Sequence, residues 1–138
     1  MTESSDATMV SSEQLLEYAR HAATLAYAPY SRFRVGAAVV AGGRVFLGCN
    51  VENASYGLCM CAERVAAFKA VSEGHTRLSS VAVSCVDADP SLGPNGRMPC
   101  GACRQVLSEL ADPTTPVHVD GVGTLTLAEL LPQAFRLG

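Results

Sequence analysis

A chain of 138 residues, 49% hydrophobic and only 17% charged, is of single-domain length and apolar enough to bury a core, which excludes disordered and fibrous classes. Its net charge of −3 comes with ten scattered Lys and Arg residues, without the basic stripe that grips a phosphate backbone, so a nucleic-acid polymer is not an expected partner. The acidic start Met1 to Asp6 is unlike a secretory signal, and no apolar run reaches the ~20 residues of a membrane span. The expectation is a cytoplasmic protein without a membrane partner. Its six cysteines then bind metal, react or fill core space rather than pair as disulfides.

Residues 1–10 read as a tail and 11–138 as one domain. Ser11-Ser12-Glu13-Gln14 fits a capping box, and Leu15, Leu16, Ala19, Ala22, Ala23 and Ala26 recur at helical spacing. This helix is expected to end near Pro29, with its alanine stripe close against a sheet. Val35–Ala41 and Arg44–Cys49 are β-rich runs joined by Gly42-Gly43, a tight hairpin. Ala62 to Val71 reads as a helix stopped by Gly74, and Val81, Val83 and Cys85 alternate as in a strand, with Cys85 read as a small core residue. Asp87 to Met98, with two prolines and two glycines, reads as a loop that forms a rim or a subunit contact. Gly101 to Ala111 is helical with Val106, Leu107 and Leu110 inward, Pro116 to Val119 is a short strand, and Thr126-Leu127-Ala128-Glu129 caps a last helix ended by Pro132. Helices alternating with strands predict a three-layer α-β-α domain with a mixed sheet of about five strands.

Three thiols suggest a metal site: Cys61 at one helix start, Cys100 and Cys103 at another. A Cys-x-x-Cys entered through Pro99 puts both sulfurs on one ion, and helix N-termini favour ionised sulfur. Three protein ligands leave a corner for water, as in catalytic rather than structural zinc. Cys59 and Cys49 are read as structural. Arg64 can donate to the sulfurs and offset the negative charge of three thiolates, or be a solvated helix arginine. Glu63, two residues beyond a ligand, can reach a metal-bound water without binding the metal, as a general acid/base must; a glutamate in a helix's first turn is also favoured by the dipole alone. This is the equipment of a zinc hydrolase acting on an amino-substituted base.

Cys-Ala-Glu-Arg at 61–64, Pro-Cys-Gly-Ala-Cys-Arg-Gln at 99–105 and Asn-Val-Glu-Asn-Ala at 50–54 resemble the motifs of the small cytidine deaminases of pyrimidine salvage, over a stretch from about Leu15 to Phe135. The resemblance implies one zinc per chain on Cys61, Cys100 and Cys103, attack of the activated water on C4 of cytosine, and Glu63 shuttling the proton to N3 and then to the departing amine. It further implies that Asn50 and Glu52 bond ribose hydroxyls, that the backbone around Ala54 meets the base, and that Phe33 packs on the ring. Phe33 also suits a core position and Asn50 a turn. Members with three cysteine ligands are homotetramers with shared active sites, and Tyr56 and Phe135 match positions that reach across the interfaces. The lack of a basic cluster and the charge of Glu52 favour an uncharged nucleoside over a nucleotide. Two alternatives remain: a deaminase of cytosine-nucleoside antibiotics of the blasticidin S type, sharing these motifs, and a zinc or redox module built on Cys100-Gly101-Ala102-Cys103.

Overall fold

The computed structural model describes residues 10–137. The expected tail at 1–10 lies outside the described residues except for Val10, which packs against the core beside the first helix. That helix, α1, spans Ser12–Ala23 and is capped as its sequence predicts: Gln14 N–H donates to Ser11 Oγ at 3.1 Å and Ser11 N–H to Gln14 Oε1 at 2.9 Å. It stops well before Pro29. Thr24 Oγ1 donates to the His21 carbonyl at 2.6 Å, and Tyr27 N–H leaves the helical path to pair with Asn50 O at 3.0 Å. Ala26 therefore falls outside the stripe, which consists of Ala19, Ala22 and Ala23.

The hairpin of β1 (Val35–Ala41) and β2 (Arg44–Cys49) turns through Gly42 and Gly43 at φ +57° and +72°, the paired left-handed conformation of a type I′ turn. Helix α2 (Ala62–Ser72) closes with Gly74 at φ +93° and is followed by β3 (Leu78–Cys85), α3 (Gly101–Leu110), β4 (Pro116–Val119), β5 (Gly123–Thr126) and the single turn α4 (Leu127–Leu130). Thr126 caps α4 reciprocally with Glu129. Strand order is β2-β1-β3-β4-β5, with the β3/β4 pair parallel and the others antiparallel, so the sheet is mixed. The fifth strand was expected in number but not located. Its four residues carry little pattern, and pairing with β4 across the turn that contains Gly121 makes it a strand.

Alternate residues of β1 separate the core into two halves. Ala38 and Val40 face α1 together with Val45, Leu47 and Ala82, whereas Ala37, Val39 and Ala41 face α2 and α3 with Phe46, Val81, Val83 and Leu107. This is the predicted three-layer arrangement. Both helix layers lie against the sheet where it offers glycine: a Cβ on Gly36 would lie 1.9 Å from Ala19 O, and one on Gly48 2.4 Å from both Ala62 O and Ala66 N. The second approach presses the first turn of α2 onto β2 and so fixes where Cys61 and Glu63 stand.

Two inward assignments are corrected. Cys85 does share a face with Val81 and Val83, but it lies where that face opens at the end of β3, and it lines a cavity instead of filling the core. Val106 is only half-buried, in a shallow groove with Phe68 and Val71, because the buried stripe of α3 runs through Cys103, Leu107 and Ser108.

Candidate active site

Cys61 and Cys100 are both helix N-caps, of α2 and α3, with extended backbone (ψ 152° and 165°); the Cys100 side chain caps the free N–H groups of its helix, whereas Cys61 makes no side-chain cap bond. Cys100 Sγ accepts from Cys103 N–H at 3.4 Å. The two helix starts meet. Cys61 Sγ lies 3.9 Å from Cys100 Sγ, Cys100 Sγ lies 3.3 Å from Cys103 Sγ, and all three sulfurs fall within 4.8 Å of one another. A tetrahedral zinc with Zn–S bonds of about 2.3 Å spaces its sulfurs about 3.8 Å apart, so this donor set fits the ion. Among the described residues no other His, Cys, Asp or Glu joins the group.

The local charges favour ionised sulfur at Cys61 but not at Cys103. A hydrogen bond from Cys103, reinforced by Arg64 Nη2 at 3.2 Å from its sulfur, draws the Cys61 thiol down to about 5, and the same pairing pushes the Cys103 thiol up. Arg64, half-buried, thus donates to the Cys61 sulfur. Glu63, 4% exposed, lines the cavity beside Cys61, and burial pushes its carboxyl up to about 7. A group that exchanges its proton near neutrality is suited to acid and base work in one cycle.

The cavity in front of the sulfurs, about 290 Å³, is bordered by Phe33, Asn50, Glu52, Tyr56, Cys61, Glu63 and Cys100. Backbone pairing brings these distant stretches together: Val51 exchanges hydrogen bonds with Met60 (3.0 and 2.9 Å), while Glu52 N–H donates to Tyr27 O at 2.8 Å. Asn50 is tied at both ends of its amide, Oδ1 accepting from Val35 N–H and Nδ2 donating to Phe33 O, each at 2.8 Å. Glu52 accepts from the backbone N–H groups of Tyr30 and Ser31 at 3.0 and 3.1 Å and from the Ser31 hydroxyl, and the hydroxyl first among these holds its carboxyl below the ordinary range. Both side chains therefore also brace the loop that carries Phe33.

Tyr56 stands at the mouth, 83% exposed. Ala54 is exposed and not among the lining residues, and Phe135, 69% exposed, is likewise outside the cavity of its own chain, its carbonyl held by Gln105 Nε2 at 3.1 Å. Residues that sequence reasoning did not assign to the site also line it: Ser31, Val35, Met98 and, against their structural reading, Cys59 and Cys85. Cys59 still has its bracing bonds to Asn53, accepting from its N–H at 3.3 Å. Burial pushes the Cys85 thiol up to about 11, leaving it a neutral wall. Gly96 and Met98 make the 87–98 loop part of the rim.

Residues 9–119 match the model of the cytidine and deoxycytidylate deaminase zinc-binding region. The chain belongs to this deaminase family. It is 45% identical over 128 residues to the cytidine deaminase of Halalkalibacterium halodurans, covering 89% of this chain and 92% of that one. It is 49% identical over 121 residues to the cytidine deaminase of Mycobacterium tuberculosis, covering 86% and 85% respectively. Among solved structures, the cytidine deaminase of Burkholderia pseudomallei superposes with a TM-score of 0.80 at 46% identity, over 91% of this chain and 100% of that chain. A redox pair is not the reading these deaminase matches support: all six cysteines are free, and Cys61 joins Cys100 and Cys103 in one cluster.

Proposed function

We propose that the chain hydrolyses cytidine and deoxycytidine to uridine and deoxyuridine with release of ammonia, as a cytoplasmic enzyme of pyrimidine salvage made of one zinc-dependent domain over 11–138. The observation that carries this is the convergence of Cys61, Cys100 and Cys103 beside a buried Glu63 at the end of one cavity. Cys61, Cys100 and Cys103 would hold the metal, and zinc bound there supplies the acidification of a water molecule that hydrolysis at neutral pH requires.

The chain's own residues account for the rest of the cycle. Glu63 takes a proton from the incoming water and passes it to ring N3 as the oxygen bonds C4; it then takes the proton of the new C4 hydroxyl and delivers it to the amine, which leaves as ammonia as the C4–N bond breaks and the carbonyl forms, and its raised proton affinity suits both directions. Arg64 balances the charge of the thiolates. Phe33 offers an aromatic face to the base, and Ala54 contributes its backbone. The Asn50 amide still has one lone pair and one N–H beyond its two backbone bonds, enough to meet a ribose hydroxyl, and Glu52 can accept from a second.

A cytosine-nucleoside antibiotic is less favoured as substrate, because the similar proteins at 45–49% identity bear the name cytidine deaminase. A homotetramer with shared sites accords with Tyr56 and Phe135 being large apolar residues left 83% and 69% exposed on one chain. The test is to add cytidine, deoxycytidine and cytidine monophosphate separately to purified protein and follow the ultraviolet change as the uracil base forms. Turnover of the two nucleosides that disappears on chelation, with little on the monophosphate, is expected. No turnover by the zinc-replete protein, or equal turnover of the monophosphate, overturns the reading.

A further inference from the structure

Cys100 follows a segment, residues 87–99, whose only regular structure is a kinked 3-10 stretch, so a neighbouring sheet or long helix does not set the direction in which it enters α3. Arg104 supplies the missing constraint. Its backbone N–H makes the ordinary first-turn bond to Cys100 O at 3.0 Å, but its side chain folds back over the helix start, with Nε donating to Pro99 O at 2.8 Å and Nη1 to Leu130 O at 2.8 Å. The Pro99 carbonyl belongs to the peptide plane that carries the Cys100 nitrogen. Holding that oxygen limits rotation about the Cys100 φ angle and therefore the direction of its sulfur.

The second anchor is equally specific. Leu130 ends α4, a helix too short to satisfy its own last carbonyls, and a guanidinium is a favourable donor to them. Only a planar fork with separated donors meets two carbonyls from different segments in this way; a lysine offers a single nitrogen.

We propose that Arg104 is a positioning residue for the metal: by tying Pro99 O to the end of α4 it holds Cys100 in the orientation that ligates zinc. This inference rests on Cys100 being a zinc ligand.

The experiment loads wild type, Arg104→Gln, Arg104→Lys and Val45→Ala with zinc, then follows zinc release to excess chromophoric chelator and the thermal unfolding of each protein. Val45 lies in the half of the core that faces α1, on the other side of the sheet from both metal helices, so its truncation lowers stability without touching residues 99–104. Release from Arg104→Gln is expected to be about 10–100-fold faster than from wild type, with Arg104→Lys between them and Val45→Ala close to wild type below its unfolding temperature. Release from Arg104→Gln within about twofold of wild type, or equal acceleration by Val45→Ala, overturns the proposal. If the glutamine variant does not fold, the lysine variant is judged by the same comparison. Wild type that retains no zinc instead overturns the ligand assignment itself.

Discussion

At the scale of single residues, chemistry and scaffolding share side chains. Glu63 is nearly sealed from water at the start of a helix, and its ionisation is governed by burial. Replacing it with glutamine preserves size and most hydrogen bonding but removes the exchangeable proton, so Glu63→Gln should keep its zinc and its unfolding temperature while turnover falls by about 10⁴-fold. Wild-type turnover in that variant would remove Glu63 from the mechanism. Asn50 is a different case, because its amide bonds the backbone on both sides of the Phe33–Val35 stretch. Asn50→Ala should reduce unfolding free energy by about 2 kcal/mol in urea titrations, at roughly 1 kcal/mol per lost bond. It should also raise the KM for cytidine, since Phe33 loses its support; an unchanged midpoint and KM would separate Asn50 from both roles. The cluster of Cys61, Cys100 and Cys103 was legible in the sequence because two of the three thiols stand at helix starts marked by a few neighbouring residues. Cys85 was not, since facing the core and facing a cavity are the same periodicity until the end of the strand is known.

At the scale of elements, the position of the site depends on how closely α2 can approach the hairpin. Gly48 permits that approach, and its hypothetical Cβ would meet backbone, not a flexible side-chain end, at 2.4 Å. Gly48→Ala should therefore force α2 outward, costing about 1–3 kcal/mol in denaturant unfolding, as overpacking does, and lowering kcat because Cys61 and Glu63 move with the helix. A variant with wild-type stability and kcat would mean that the first turn of α2 is not held from this side. The hairpin, the capping boxes of α1 and α4 and the glycine stop of α2 were readable because each is local chemistry between residues a few positions apart. The end of α1 and the existence of β5 depend on partners far along the chain, Asn50 for one and β4 for the other, and no local pattern announces them.

At the scale of the whole molecule, one carboxylate gathers segments that the sheet does not join directly. Asp120 accepts two hydrogen bonds from Arg20 of α1, at 2.8 and 2.9 Å, and one from Ser84 of β3 at 2.7 Å, while its carbonyl accepts from Arg97 of the 87–98 loop at 3.4 Å. Arg34 grips Asp87 at the start of the same loop. Pairing with Arg20, then the Ser84 hydroxyl, holds the Asp120 carboxyl below its usual range, and Arg34 lowers Asp87 to about 2. Both carboxyls therefore release their protons more readily folded than unfolded. Their stabilisation is complete above the unfolded value of about 4 and is lost as the pH falls through the folded value, about 2 for Asp87. Asp120→Asn cannot ionise, so at pH 7 it should be less stable than wild type by about 1–3 kcal/mol, the range for breaking charged hydrogen bonds at a partly buried site. The gap should narrow progressively as the pH falls below the unfolded value of about 4 and the wild-type carboxyl, held lower in the fold, becomes protonated. Urea midpoints of both proteins at pH 7, 4 and 3 measure it, and because zinc loss in acid affects both, the difference isolates the carboxyl. A gap that stays constant across that range would mean that Asp120 contributes shape and hydrogen bonds but no charge to holding α1, β3 and the loop before Cys100 together.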